Sequence, residues 1–151
     1  MGNPVANEID VFGELYFDNI ATPLEAVLTD ANTYYSLGGL TKKCDFNITI
    51  DGTTASMTAK VDGLYDFDGV ASIFPSAGTV ITFALFVNDV EQAHIKTVLE
   101  FQNNQDTNTF SGSGFVRLVA GDVVTVRAKS TTAVLTLKVS NINLSLMRMG
   151  L

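Results

Sequence analysis

Apolar residues in this chain recur at every second position, in runs of four to ten residues closed by Gly, Asp, Asn, Ser or Pro. That period puts alternate side chains on one face of an extended strand, and a helix cannot reproduce it. In 45–51, Phe46, Ile48 and Ile50 share a face opposite Asn47 and Thr49, and Asp51-Gly52 supplies a turn. Ala55, Met57, Ala59 and Val61 then repeat the pattern up to Asp62-Gly63, so the two runs read as a hairpin. Tyr65 and Phe67 lead a longer run that ends at Pro75-Ser76-Ala77-Gly78, with Gly69 inside it as an expected bulge. The composition agrees with sheet, since 17 Thr and 10 Phe join abundant Val and Ile.

Two segments depart from simple alternation. In 79–88, Val80, Ala84 and Phe86 occupy one face and Ile81, Phe83, Leu85 and Val87 the other, so this strand is expected to be covered on both sides, by a further layer or by another subunit. Near the end, Ala133, Leu135, Leu137 and Val139 are odd while Ile142, Leu144 and Leu146 are even. The buried face therefore changes parity at Ser140-Asn141, which predicts a bulge or a strand break there. His94, Thr97, Val98 and Phe101 fit a helical stripe, whereas Ile95, Thr97, Leu99 and Phe101 alternate; the strand reading of 90–101 follows from its neighbours. A polar loop is expected over 102–108, strands over 109–118, 123–129 and 133–139, and a buried or docked C-terminus.

The first forty residues follow less simply. Val11, Leu15 and Phe17 alternate, but Thr22-Pro23-Leu24-Glu25 is compatible with either a strand or a short capped helix. Gly38-Gly39 reads as a hinge and Met1 to Asp10 as an extended arm, so the chain divides into a leading segment, 1–40, and a β-domain, 41–151. At 151 residues there is room for one core.

Charge and composition exclude several functions. Nine Lys and Arg against 16 Asp and Glu give a net charge of -7, which repels a phosphate backbone, so nucleic acid is not an expected partner. No stretch of roughly 18 apolar residues is present to span a membrane as a helix, and Met1 to Asp10 lacks the pattern of a signal peptide. A soluble protein without a classical export route is expected. Cys44 is the only cysteine and His94 the only histidine; they carry no recognisable nucleophile signature and read as a buried Cys and a surface His. Asp62, Asp66 and Asp68 lack the spacing of a calcium loop, and Gly112-Ser113-Gly114 lacks the strand, helix and Lys of a phosphate loop. Neither catalytic residues, nor a metal site, nor a cofactor is expected.

About eight to ten short antiparallel strands with a parity change in the last reach a jelly-roll-like sandwich, an all-β fold. Local strings then resemble the TNF/C1q-like family: Gly63-Leu64-Tyr65-Asp66-Phe67, Val87-Asn88-Asp89 with Asp where the family carries a turn glycine, 118–126 from Leu118 through Gly121-Asp122, and the closing Asn143-Leu144-Ser145-Leu146-Met147-Arg148. Their order matches and the likeness covers 45–151. It implies a jelly-roll protomer assembling as a homotrimer, with Tyr65, Phe67, Phe83, Phe115 and Leu146 as candidates for the shared interface. Gly13-Glu14-Leu15-Tyr16-Phe17-Asp18-Asn19 followed by Thr22 resembles the starts of small bacteriophage structural proteins. The expected function is thus a non-enzymatic virion component, made in the host cytoplasm, that decorates and cements the capsid surface. Its partners would be itself and the major capsid protein, held through Asn3, Pro4, Val5 and Ile9 of the arm. The alternative is the receptor- or glycan-binding head of a phage fibre.

Overall fold

The computed structural model describes residues 10–103 and 106–151. The described residues form twelve strands: β1 (Phe12–Asp18), β2 (Leu24–Leu28), β3 (Tyr35–Ser36), β4 (Thr41–Phe46), β5 (Ile48–Asp51), β6 (Ser56–Ala59), β7 (Gly63–Pro75), β8 (Thr79–Val87), β9 (Val90–Phe101), β10 (Asn108–Leu118), β11 (Val123–Ser130) and β12 (Leu135–Gly150). Among the described residues there is no helix. One sheet runs β10-β7-β12-β1-β4 with β2 also on β12, and the other runs β5-β6-β11-β8-β9 with β3 also on β11. All pairings are antiparallel.

The alternation places the core between the sheets. Tyr65, Phe67, Ala71 and Ile73 of β7 face Ile81, Phe83 and Leu85 of β8, all at most 1% exposed. Phe83 stacks on Phe110 with centroids 4.5 Å apart, and the Tyr65 hydroxyl donates to the Val61 carbonyl at 2.7 Å, satisfying its polar end. The parity change is a register shift between Val139 and Asn141 against β7. Ahead of it β12 pairs with β2, and beyond it with β1. The extra residue lets one strand serve both partners while Leu137, Val139, Ile142 and Leu144 all point inward.

Several expectations need correcting. The 45–51 run is two strands, because Asn47 adopts φ 57° and turns the chain from β4 in one sheet into β5 in the other. Gly69 sits in continuous register on both sides and forms no bulge. Its missing side chain instead admits neighbours, since a Cβ there would lie 2.9 Å from the Phe67 ring and 3.1 Å from Leu144. Gly38-Gly39 is no free hinge: the Gly39 amide donates to Thr53 O at 3.2 Å, and a Cβ on Gly38 would lie 2.5 Å from that same oxygen. The leading segment is part of the sandwich, contributing β1, β2 and β3, and 24–28 is a strand.

The chain itself supplies the cover for β8. On its outer side Thr82, Ala84 and Phe86 are buried. β3 pairs with Arg127 and Ala128 of β11, and this draws Tyr34 edge-on to Phe86 at 4.8 Å. The Arg127 guanidinium caps the Phe86 ring at 4.4 Å and the Lys129 ammonium caps Tyr34 at 4.7 Å. Burial, with Glu91 beside it, pushes the Tyr34 hydroxyl pKa far above the ordinary tyrosine value. The doubly apolar strand is therefore completed by an aromatic and cationic cover from the leading segment and β11.

Candidate self-association face

With the centre of the second sheet so covered, and, of its large apolar side chains, only Val90 and Val98 of its edge strand β9 exposed, the exposed aromatic and methionine side chains lie on the outer face of the first. Residues in register on neighbouring antiparallel strands share a face and touch. Following the register from β10 through β7, β12 and β1 to β4 gives one row, Phe115, Asp66, Met147, Phe12, Phe46. Phe115 is 55% exposed, Met147 47%, Phe12 39% and Phe46 52%. The Phe12 and Phe46 rings stack at 5.9 Å, so this end of the row is already ordered. Met149 and Leu151 extend the apolar surface beyond the row.

The next row is Ser113, Asp68, Ser145, Glu14, Cys44, and the one after it Ser111, Val70, Asn143, Tyr16, Thr41. Asn143 Nδ2 donates to Glu14 at 2.8 Å. A shallow groove of about 210 Å³ runs between Phe12, Cys44, Asp66, Asp68 and Met147. The first row thus carries exposed apolar side chains from four of the five strands it crosses, with Asp66 of β7 set between Phe115 and Met147, and the next row holds small polar and acidic residues. Burial, then the charge and hydrogen bond of Asp68, raises the pKa of Asp66 above the usual carboxylate value.

Of the sequence-derived interface residues, Tyr65, Phe67, Phe83 and Leu146 are each 0% exposed. They fill the protomer core and have no surface to offer a neighbour. Phe115 alone of that set lies on the exposed face. The missed residues, Phe12, Phe46, Met147 and Met149, carried a faint signal: Met147 and Met149 are large apolar side chains at the solvent parity of a strand whose other parity is already apolar. Asn3, Pro4, Val5 and Ile9 lie outside the described residues.

Other candidate chemistry is dispersed. Cys44 is exposed rather than buried, because β4 is an edge strand whose six residues are all exposed. His94 lies on β9, the edge of the other sheet, where Nε2–H donates to Phe115 O at 2.8 Å. The two sit on β4 and β9, with the intervening strands of both sheets between them, and form no pair. Asp66 and Asp68 do share a face, while Asp62 accepts from the Ala120 amide at 2.8 Å and is committed to a turn. Among the described residues no three His, Cys, Asp or Glu side chains converge to hold a metal.

Neither a protein-family model nor a curated protein matches the chain. Solved structures do. Eiger TNF from S. frugiperda superposes with a TM-score of 0.64 at 12% identity, over 93% of this chain and 94% of that one. Murine APRIL, in a crystal structure at pH 5.0, gives 0.62 at 9% identity over 93% and 100%. The globular domain of zebrafish complement 1qA gives 0.57 at 15% identity over 93% and 98%. The fold is a TNF/C1q-like jelly roll.

Proposed function

We propose that this chain is a non-enzymatic structural module that assembles as a homotrimer through the outer face of the β10-β7-β12-β1-β4 sheet, and that the trimer decorates and cements a bacteriophage capsid. The single observation that carries the assembly reading is the exposed row of Phe115, Met147, Phe12 and Phe46. Contiguous apolar surface rimmed by polar residues marks an interaction site. A threefold arrangement follows from the family resemblance and suits a face whose two sides differ, aromatic at β4 and serine-rich at β10, since such a face closes into a ring by heterologous contacts.

The capsid role rests on the sequence, through the phage-like opening of β1 at 13–19. A rigid trimer would engage the lattice at three points, so weak single anchors sum to tight attachment. The test is pelleting of the purified protein with capsids of the encoding phage that lack it. Saturable co-sedimentation supports a cement protein. Failure to pellet, together with adsorption to host cells, would move the function to a fibre head.

A further inference from the structure

We propose that assembly through this face takes up protons at Asp66, so that the trimer tightens as pH falls below neutral. The inference rests on the trimer reading above and adds a regulator to the same surface. Asp66 stands inside the apolar row, opposite Phe115 on one side and Met147 on the other. A copy that covers both of these residues covers the carboxyl between them.

The groups facing Asp66 give it little positive charge. Asp68 lies two residues along the same strand. On β10 the charged outward residue is Arg117, which pairs in register with Leu64, one row away. On β12 the outward positions are Asn141, Asn143, Ser145, Met147 and Met149, while Arg148 is buried and its Nε–H donates to Asp62 O at 2.8 Å. On β1 stand Glu14, held by Asn143, and Asp18. On β4 stand Lys43, beside Glu14 and Asp18, the exposed thiol of Cys44, and Lys42, paired with Asp45 at 3.5 Å. None of the ion pairs among the described residues includes Asp66.

Burying an ionised carboxylate without a cation is unfavourable enough that the group neutralises instead. The direction is already present in the free protomer, where desolvation and Asp68 raise the Asp66 pKa. A folded-state pKa above the unfolded value penalises the ionised form, and the penalty disappears as pH falls through the folded pKa. Assembly extends the same shift: the pKa is higher in the trimer than in the free protomer, so protons bind on association and acid favours the trimer. Each proton taken up steepens the association constant by about tenfold per pH unit, so three sites approach about a thousandfold per unit within the window between the two pKa values.

Sedimentation equilibrium of the intact chain at pH 7.5, 6.5 and 5.5 in constant salt tests this, alongside Asp66→Asn and, on the other sheet, Glu100→Gln. The expected result is a wild-type association constant that rises at least tenfold per unit toward pH 5.5, an equal rise for Glu100→Gln, and a flat, tight profile for Asp66→Asn. Equal slopes in all three would assign the effect to general loss of charge toward the isoelectric point near 4.4 and overturn the proposal. So would a wild-type trimer of pH-independent affinity, or one that tightens with rising pH because a neighbour's cation meets Asp66; both leave the trimer standing. A chain that stays monomeric at every pH removes the trimer reading and this inference with it.

Discussion

Phe115 and Phe83 are both aromatic residues in strands, yet one is exposed and the other buried, and paired substitutions separate assembly from folding. Phe115 is 55% exposed. At roughly 200 Å² for a Phe side chain this leaves about 110 Å² in water, and burying it is worth up to about 2.7 kcal/mol at 25 cal/mol/Å². Phe115→Thr keeps a residue suited to a strand and removes most of that area. It should weaken trimer assembly by up to about a hundredfold per protomer while shifting unfolding stability by no more than about 0.5 kcal/mol. Phe83 is 0% exposed and stacked on Phe110, so Phe83→Ala should cost about 3–5 kcal/mol of fold stability through the cavity it leaves. Sedimentation velocity over a dilution series reads assembly, and circular-dichroism melts at low concentration read the protomer. A Phe115→Thr protein that assembles like the parent would refute the interface assignment. One that melts as early as Phe83→Ala would refute the placement of Phe115 on the surface.

Three further outcomes follow from the fold. Deleting Ser140 should leave the protein soluble at a cost of about 1–2 kcal/mol, because Val139 pairs with Ile73 and Asn141 with Ser72, so removing the bulged residue restores plain alternation with Ile142, Leu144 and Leu146 still inward, while the Asn19 amide loses its bond to Ser140 O; loss of soluble, cooperatively melting protein would refute the bulge. Asp89 holds φ 67° in the β8–β9 turn after Asn88 at φ 49°, so Asp89→Gly should raise stability by up to about 1 kcal/mol, offset in part by loss of its ion pair with Arg127; a lower melting temperature would show that the ion pair outweighs the strain. Tyr34→Ala should cost about 2–3 kcal/mol and bind a hydrophobic dye, since it uncovers the Phe86 ring; an unchanged melt with no dye binding would show that Arg127 suffices as cover.

Strands were legible wherever one side chain in two met the core. The hairpin turn at Asp51-Gly52 and the parity change at Ser140 follow from local alternation, the strand at 90–101 from its neighbours, and all three stand in the structure. What failed was information that alternation does not hold. β2 and β3 are short and pair with β12 and β11 about a hundred residues away, so nothing local announces them. Asn47 turns the chain between sheets without breaking the apolar pattern, because Phe46 on the outer face of β4 and the buried Ile48 of β5 fall on the same sequence parity. The interface candidates failed for a related reason: alternation divides side chains into two faces, and that parity commits Tyr65, Phe67, Phe83 and Leu146 to the core whatever their size. Exposure of Cys44 depended on β4 being an edge, a property of topology alone.

Closure of a threefold assembly through the aromatic row of the first sheet is tested most directly by the solution mass, read by light scattering over a concentration series. Concentrating the chain is predicted to bring the mass to a plateau at three times 16.2 kDa, with Phe115→Thr reaching that plateau only at far higher concentration. A mass that stays at one chain throughout, or a plateau at two, would contradict it.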